Sequence, residues 1–421
     1  MTDHQVAVVG AGLAGLETAR LLAEAGRDVA VYEADSSVGG RIRTDKRDGY
    51  TLDRGFQVLF TAYPEARRAL DFDELDLERF PPGAIICRAN HRGVVADPLR
   101  DPVGGLETAF STDLSIGDKL RVLRLRQALS GRSREDIYAG TDESIESLLD
   151  RLGFSERFVD SFARPFYGGI TLDRSLATSA RVFEFTFKML TAGAAAIPAA
   201  GMQAIPEQLA RRAREHGAEI ETNTPVETID GTGPVTLEID GESITADTAV
   251  VAAGPRASHS LTGIDAIPTQ GRGVLTQYFS LPGGNPIGEQ ARIHLHADGD
   301  APNQVVNLSA VAPSYAPDDE ILLSASTPGQ PEVDHETLAE DTRRALQSWY
   351  PAASFEALEL LDTVQVSFAQ FEQPPGVHES LPSVTEPAGA VFLAGDYTED
   401  SSINGALRSG RLAAAAVLDS S

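Results

Sequence analysis

Residues 5–33, QVAVVGAGLAGLETARLLAEAGRDVAVYE, contain the pattern that decides the fold. The apolar run Val6–Val9 predicts a short buried strand, and the glycine-rich turn Gly10–Gly15 follows it directly. Apolar residues then recur with the helical period of about 3.6 residues, and Gly26 marks the end of that helix. A second apolar strand ends at the acidic residue Glu33. The stretch therefore predicts a complete β-α-β unit, the building block of a parallel α/β sheet.

The spacing of the glycines in this turn suits a phosphate-binding loop. Gly10 permits the tight turn, Gly12 lets backbone N–H groups approach a pyrophosphate, and Gly15 lets the helix pack closely on the strand. Glu33 is placed to accept hydrogen bonds from ribose hydroxyls and to repel a 2′-phosphate. A turn used for packing alone is the alternative. The predicted dinucleotide contacts are Gly10, Ala11, Gly12, Leu13, Ala14, Gly15, Glu33 and Ala34.

The remaining chain alternates between helical and β-rich segments that do not continue the first unit. Helical periodicity predominates at 106–190, whereas short alternating strands with Gly-Pro-Asn turns occupy 273–327. We predict an α/β fold in which a second lobe of mixed β-sheet and helices interrupts a discontinuous Rossmann-like nucleotide domain. The predicted boundaries are 1–80, 200–270 and 380–421 for the nucleotide domain, and 81–199 and 271–379 for the second, substrate-binding lobe.

The composition limits the class of protein. The chain has 421 residues, of which 42% are hydrophobic, enough for two or three packed lobes. Cys87 is the only cysteine, which excludes a disulfide scaffold. No apolar run reaches the ~18 residues of a membrane span, and the first residues lead straight into a strand without a secretory pattern. We expect a cytoplasmic protein.

The charge balance is strongly acidic. The chain has 35 Lys and Arg against 62 Asp and Glu, a net charge of −27, and its only lysines are Lys46, Lys119 and Lys188. Such a chain is a poor nucleic-acid partner, because phosphate contacts need clustered cations. A dense carboxylate surface fits a cytosol of molar salt, where the Debye length is only ~3 Å. We hypothesise a halophilic host, and an ordinary acidic cytosolic protein is the alternative.

Two further motifs lie near the ends of the chain. Residues 37–44 read SVGGRIRT, and residues 391–417 read VFLAGDYTEDSSINGALRSGRLAAAAV. Together with the glycine turn, they make the chain resemble the flavin-binding superfamily of amine oxidases, phytoene-type carotenoid desaturases and protoporphyrinogen oxidases. The resemblance covers nearly the whole chain and is strongest at its two ends. It implies an FAD that lies extended between the nucleotide domain and the second lobe. Since no cysteine lies near the C-terminal motif, we expect the FAD to be non-covalently bound.

The resemblance also implies roles for individual residues. Arg41, beside Gly40, matches the arginine that neutralises the diphosphate, while Gly395 and Asp396 match a strand end that binds the diphosphate and ribityl chain. The last helix points its N-terminus at the flavin N1/C2=O edge, where its partial positive charge stabilises the anion formed when N5 accepts a hydride. The other implied contacts are Gly55 and Phe56 at one face of the isoalloxazine, Val226 at the adenine, and Ser402, Ile403 and Asn404 at the isoalloxazine edge.

Departures from the superfamily narrow the chemistry. Amine oxidases carry a lysine that holds a water near flavin N5, but no lysine follows Lys188 in this chain. Their paired tyrosines near the last helix have no evident equivalent, since Tyr397 precedes the helix and Ser401 and Ser402 occupy the turn. No second GxGxxG motif occurs, which argues against a separate nicotinamide domain.

The resemblance and these departures predict an FAD-dependent oxidoreductase that takes a hydride from an apolar substrate to flavin N5. A carotenoid-type polyene desaturase or isomerase is the first hypothesis, and a protoporphyrinogen oxidase or an amine oxidase is the alternative. A redox-silent flavin-binding protein is an alternative of another class, because phosphate motifs report binding rather than turnover. The sequence identifies no catalytic acid or base, no final electron acceptor and no oligomeric state.

Residues 114–134, LSIGDKLRVLRLRQALSGRSR, form a basic stretch in this acidic chain. Apolar residues at helical spacing accompany the basic ones. One interpretation is a helix lying on a membrane surface where a lipophilic substrate enters. The alternative is a helix that faces the core and pairs its arginines with surface carboxylates.

The pair His294 and His296 is the remaining candidate for a metal site. The two residues are two positions apart on a predicted strand, so both side chains lie on one face. No third ligand follows at a spacing typical of metal sites. We therefore predict no metal.

Overall fold

The computed structural model describes residues 3–96, 101, 114–299, 301–331 and 333–420. Within these ranges the chain forms nineteen strands and twelve α-helices. The strands are β1 (His4–Val9), β2 (Val29–Glu33), β3 (Thr44–Arg47), β4 (Tyr50–Asp53), β5 (Leu59–Phe60), β6 (Leu77–Arg79), β7 (Ala84–Arg88), β8 (His91–Val95), β9 (Ala195–Pro198), β10 (Glu219–Thr222), β11 (Thr228–Asp230), β12 (Val235–Ile239), β13 (Glu242–Val251), β14 (Gly271–Pro282), β15 (Ile293–His296), β16 (Gln304–Asn307), β17 (Glu320–Pro328), β18 (Glu359–Phe371) and β19 (Val391–Leu393). The helices are α1 (Leu13–Glu24), α2 (Pro64–Ala69), α3 (Ile116–Ser130), α4 (Arg134–Tyr138), α5 (Ile145–Arg151), α6 (Glu156–Phe158), α7 (Arg164–Thr171), α8 (Ala180–Ala192), α9 (Ala204–Glu215), α10 (Pro255–Thr262), α11 (His335–Trp349) and α12 (Ile403–Asp419).

The first sheet is the nucleotide-type sheet. Its strand order is β10-β2-β1-β13-β12-β11, and β19 also pairs with β13. Strands β10, β2, β1, β13 and β19 pair in parallel, while β11 and β12 add antiparallel neighbours. The predicted α/β fold is confirmed. The strands of this sheet come from three separate parts of the chain, and the proposed domain boundaries stay a prediction.

Helix α1 packs between the first sheet and the last helix. A Cβ at Gly15 would lie 2.0 Å from the carbonyl oxygen of Gly10, so only glycine lets α1 approach the turn after β1 this closely. On the other side, a Cβ at Gly410 in α12 would lie 2.4 Å from the carbonyl oxygen of Ala14. The Thr18 hydroxyl donates to the Gly410 carbonyl at 3.1 Å. The first and last helices of the chain therefore cross at backbone contact.

The second sheet has the order β18-β14-β17-β16-β15-β7-β8. Its pairs are antiparallel except β7 with β15. One face packs on α11, where Leu346 and Trp349 are fully buried. From the other face, Tyr278 reaches the first lobe and donates its hydroxyl hydrogen to the carbonyl of Asp53.

Helices α3–α8 form the helical part of the second lobe. They occupy the described portion of the predicted helical region, whose residues 106–113 lie outside the described ranges. Seven aromatic rings run through them with consecutive centroids 4.4–5.9 Å apart: Phe154, Phe158, Phe162, Phe166, Tyr167, Phe183 and Phe187. A short π-helix at Val159–Ala163 lies inside this run. None of the described helices combines the length and apolar composition that crossing a bilayer requires.

The two histidines of β15 have separate partners. The ring of His294 is fully buried, and its Nε2 lies 2.7 Å from the Tyr350 hydroxyl. The Nδ1 of His296 lies 3.0 Å from the carbonyl oxygen of Pro302. Burial lowers the pKa of His294 to about 4, because the low-dielectric interior disfavours the imidazolium.

This burial predicts a pH-dependent loss of stability. In the unfolded chain His294 titrates near 6.5, whereas in the folded chain its pKa is about 4. Between these values the unfolded state binds more protons, so the free energy of unfolding falls as the pH falls from about 6.5 towards 4. The wild-type protein should lose about 2 kcal/mol between pH 7 and 5 through this residue.

The measurement is urea unfolding at several pH values, with His294→Gln compared against the wild-type protein. The loss from pH 7 to 5 should be smaller in H294Q by that amount. His335→Gln is the matched control, because His335 is exposed at the start of α11. Identical pH profiles for wild-type and H294Q would contradict this account of His294.

Candidate functional site

The turn between β1 and α1 has the conformation that the sequence predicts. Gly10 has φ +104°, in the left-handed region that favours glycine, and a Cβ there would lie 2.9 Å from the carbonyl oxygen of Ala252. Gly12 precedes α1 as its N-cap, and nothing lies within 4 Å of the position that its Cβ would take. The space over Gly12 is therefore open to a ligand at the N-terminus of α1.

The end of β2 places Glu33 beside this turn. Its carboxylate accepts hydrogen bonds from the backbone N–H of Ala11 at 2.6 Å and from the N–H of Asp35 at 2.9 Å. The backbone N–H of Thr224 donates to the Glu33 carbonyl at 2.8 Å. The segment that contains Val226 therefore starts next to Glu33, and Val226 itself packs at the edge of the first sheet's core. Ala34 is exposed beside them.

The second glycine motif faces the first. A Cβ at Gly40 would lie 3.5 Å from the Cα of Gly12, so the two turns form opposite sides of one cradle. The half-exposed Arg41 guanidinium lies 2.7 Å from a carboxylate oxygen of Asp396 and donates to the Ala369 carbonyl at 3.0 Å. The structure thus brings together the two residues that the resemblance assigns to the diphosphate, one from each end of the chain.

Asp396 follows β19 and is held from its other side. The Ser401 hydroxyl donates to its second carboxylate oxygen at 2.9 Å. The backbone N–H of Gly395 donates to the Ser409 hydroxyl at 2.8 Å, and a Cβ at Gly395 would collide with the ring of Tyr397. This tight turn carries the chain from β19 to the start of α12.

The start of α12 is firmly capped. The Ser402 hydroxyl accepts a hydrogen bond from the N–H of Gly405 at 2.9 Å and donates to Asp400. Ile403 is half-buried, whereas Asn404 is fully buried; its side-chain oxygen accepts from the Glu65 N–H at 3.1 Å. Its side-chain amide nitrogen has no hydrogen-bond partner among the described residues. A buried donor of this kind favours a ligand or water at the helix start.

The turn at Gly55 and Phe56 lies next to Arg41. Gly55 has φ +94°, and its N–H donates to the Asp53 carbonyl at 2.8 Å. The Gln57 side chain donates to the Arg41 carbonyl at 3.1 Å. Phe56 is half-buried and packs edge-on against Phe80, with ring centroids 6.1 Å apart. Gly55 and Phe56 therefore adjoin the same cradle.

Sequence reasoning missed a buried ion pair next to the start of α12. The Arg134 guanidinium lies 2.8 Å from Asp400 and 2.9 Å from Glu399. Burial acts to raise the pKa of Asp400, but the neighbouring Arg134 and Ser402 outweigh burial and hold that pKa below its usual value. Arg134 was counted in the basic stretch, but its side chain is only 11% exposed. The sequence signal that could have indicated this ion pair is the acidic pair Glu399 and Asp400, which directly precedes the start of α12.

The residues present fit a dinucleotide with a ring system attached. The open cradle at Gly12, the N-terminus of α1 and Arg41 supply donors and positive charge for a diphosphate. The Glu33 carboxylate supplies acceptors for ribose hydroxyls. At the other end of the site, the start of α12, the Asn404 side-chain N–H₂ is a donor without a partner among the described residues. FAD has this sequence of chemical groups.

Comparisons with known proteins agree with this chemistry. The profile of the family described as flavin containing amine oxidoreductase matches residues 13–418. Zeta-carotene desaturase of Synechocystis sp. is 26% identical, and the alignment covers 98% of this chain and 97% of that protein. Protoporphyrinogen oxidase 2 of Arabidopsis thaliana is 32% identical over 178 residues, which cover 40% of this chain and only 34% of that protein. The structure of cyclohexylamine oxidase from Brevibacterium oxydans covers 99% of both chains at a TM-score of 0.72 and 17% identity, which shows a shared fold.

Gly12→Val should abolish FAD binding and leave the fold intact, because the valine side chain would fill the open space over the turn. The measurements are the flavin absorbance of the purified protein and its far-UV circular dichroism. Gly131→Val is the matched control, since Gly131 also has nothing within 4 Å of its Cβ position but ends α3 instead. Yellow G12V protein with wild-type flavin content would refute the assignment of this turn.

Proposed function

The chain belongs to the flavin containing amine oxidoreductase family, and on that premise we propose that it dehydrogenates or isomerises a lipophilic, carotenoid-type polyene. It is an FAD-dependent oxidoreductase. The polyene is supported mainly by the alignment with a zeta-carotene desaturase over 97% of that protein. The absence of any lysine after Lys188 argues in the same direction, because every strand from β14 to β18 lacks the ammonium group that amine oxidases place near the flavin.

Bound FAD supplies the group that accepts a hydride from the substrate. The protein's own part is to bind and orient it. The N–H groups at the start of α1, together with Arg41, neutralise the diphosphate, and Asp396 keeps the guanidinium in place. Glu33 accepts hydrogen bonds from the ribose. The N-terminus of α12, capped by Ser402, would place its positive end near the ring of a bound FAD and would stabilise negative charge there.

Protoporphyrinogen oxidation is the second candidate. The observation that favours it is the 32% identity to a plant protoporphyrinogen oxidase over 178 residues, a higher identity than the full-length desaturase match. Both substrates are large and lipophilic, so both candidates require an entry path for an apolar molecule.

We propose that α3 provides this entry by lying on a lipid surface. Ile116, Leu120 and Leu123 are 77%, 51% and 45% exposed, and they form a single stripe at positions i, i+4 and i+7. These are three of the four exposed large hydrophobic side chains among the described residues. Arg124 is exposed on the same helix, whereas Leu125 and Leu129 face the core.

Two arginines of the basic stretch, Arg132 and Arg134, do not belong to this exposed surface of α3. Arg132 pairs with Glu184 at 3.0 Å and Arg134 with Asp400, so both guanidinium groups pair with carboxylates as the alternative interpretation expects. An exposed apolar stripe with a cation beside it nonetheless matches an interfacial helix that meets anionic headgroups.

The reductive half-reaction tests the substrate. We expect anaerobic addition of a linear carotene-type polyene to bleach the visible flavin absorbance, because the substrate's hydride reduces the bound flavin. A porphyrinogen and a primary amine are added to separate samples, in high salt. Bleaching by the porphyrinogen alone would replace the first candidate by the second, and bleaching by the amine alone would overturn both. Bound flavin that no compound reduces would overturn the dehydrogenation and leave polyene isomerisation or a redox-silent binding protein, which analysis of the polyene for a changed isomer tells apart.

Vesicle flotation tests the lipid surface. The wild-type protein should float with vesicles of phosphatidylglycerol and phosphatidylcholine, and a variant with Ile116, Leu120 and Leu123 all changed to Ser should float at least about tenfold less, because it lacks the apolar stripe. Val333→Ser is the matched control, since Val333 is the fourth exposed hydrophobic residue, 44% exposed, and lies outside α3. Equal flotation of the triple variant and the wild-type protein, or no flotation of either, would contradict a role for α3.

A further inference from the structure

A buried carboxylate, that of Asp53, lies where three segments of the fold meet. Asp53 ends β4 and is 4% exposed. One of its oxygens accepts hydrogen bonds from the Thr44 hydroxyl at 2.5 Å and from the backbone N–H of Met202 at 2.9 Å. The other accepts from the Tyr315 hydroxyl at 3.0 Å. The strand pair β3–β4, the turn before α9 and the second lobe therefore share one acceptor group.

The backbone of the same residue is also held from the second lobe. The Asp53 carbonyl accepts hydrogen bonds from the Tyr278 hydroxyl and from the N–H of Gly55, the latter at 2.8 Å. Tyr278 and Tyr315 are fully buried, and burial raises the pKa of both hydroxyls above the ordinary value, so both keep the proton that they donate. Two tyrosines of the second lobe thus hydrogen-bond to one residue of the first lobe, Tyr315 to its side chain and Tyr278 to its main chain.

Within the described part of the chain, this carboxylate has no counter-cation. Among the residues that the structure describes, no Lys, Arg or His forms an ion pair with Asp53. The groups that donate to its carboxylate are the hydroxyls of Thr44 and Tyr315 and the Met202 N–H, while the Tyr278 hydroxyl donates to its main-chain carbonyl. Burial raises its pKa to about 6. A buried charge balanced only by neutral donors is costly, and removing one donor leaves the charge less satisfied.

We propose that Asp53 is a positioning residue: held by Tyr315 and Tyr278, it sets the Gly55–Phe56 turn against the isoalloxazine, so that the second lobe controls how the flavin ring is held. This inference rests on the proposed function, because it requires FAD at the cradle beside Arg41. Gly55 is only two residues beyond Asp53 in the chain. Its backbone N–H also donates a hydrogen bond to the Asp53 carbonyl. A shift of residue 53 therefore moves the turn.

Two conservative variants remove different halves of this contact. Asp53→Asn keeps the size but replaces one acceptor oxygen by an N–H₂ donor. Facing Thr44 and Met202, that donor loses a hydrogen bond; facing Tyr315, it makes the hydroxyl turn to the Pro198 carbonyl, 3.2 Å away. Tyr315→Phe keeps the buried ring and deletes the hydroxyl alone. Arg54→Ala is the matched control, because Arg54 lies between Asp53 and Gly55 but extends outward to an exposed ion pair with Asp45 at 3.0 Å.

The experiment compares FAD affinity by fluorescence quenching and the visible circular dichroism of each protein at saturating FAD. We expect D53N and Y315F to bind FAD about tenfold more weakly, as the loss of one hydrogen bond to a charged group implies. Their visible dichroism should differ from that of the wild-type protein even when fully loaded. That signal reports the surroundings of the ring, which a purely structural role of Asp53 would leave unchanged. R54A should match the wild-type protein.

A pH series adds a second readout. As Asp53 gains a proton below about pH 6, the wild-type dichroism should change, and D53N should lack this transition.

Wild-type affinity and dichroism in both variants would overturn the proposal, as would the same change in R54A. Should D53N fail to fold, Y315F decides alone. A wild-type protein that takes up no FAD would instead overturn the proposed function, and this inference with it.

Discussion

The crossing of the first and last helices is the constraint on which the candidate site depends. Helices α1 and α12 touch where a Cβ at Gly410 would lie 2.4 Å from the carbonyl oxygen of Ala14. Both follow strands that run in the same direction in one sheet, so both begin at the same sheet edge. Their positive ends, together with Arg41 held by Asp396, make that edge attractive to a diphosphate and to an electron-accepting ring.

Buried polar contacts connect this edge to the second lobe. Arg134 reaches Asp400 just before the cap of α12, and Tyr315 reaches Asp53 just before the Gly55 turn. Each contact places a carboxylate in the interior, where a lost partner leaves an unsatisfied charge. The two lobes are therefore joined by directional contacts whose geometry matters, next to the place where the flavin ring would lie.

The basic stretch at 114–134 shows which property the sequence pattern alone does not determine. Helical spacing predicts a helix, and the structure has α3 at Ile116–Ser130. Spacing does not say which side of the helix is covered, because that depends on residues far along the chain. Arg132 finds its partner 52 positions away and Arg134 finds one 266 positions away. Only the packed fold separates these paired arginines, of which Arg134 is largely buried, from the exposed stripe at Ile116, Leu120 and Leu123.

Local patterns were sufficient for the fold class and for the glycine-rich turn with Glu33, whereas the resemblance to a known family supplied the other candidate contacts. The β-α-β unit, the turn at Gly10–Gly15, the acid at Glu33 and the helix beginning at Ile403 are all encoded by periodicity and short spacing, which a chain carries before it folds. The tertiary structure alone decided that Arg41 meets Asp396 and that Tyr278 and Tyr315 hold Asp53 from 225 and 262 residues away. Contacts of that range depend on how distant strands pair and how the two lobes pack together, and no local pattern in the sequence records that arrangement.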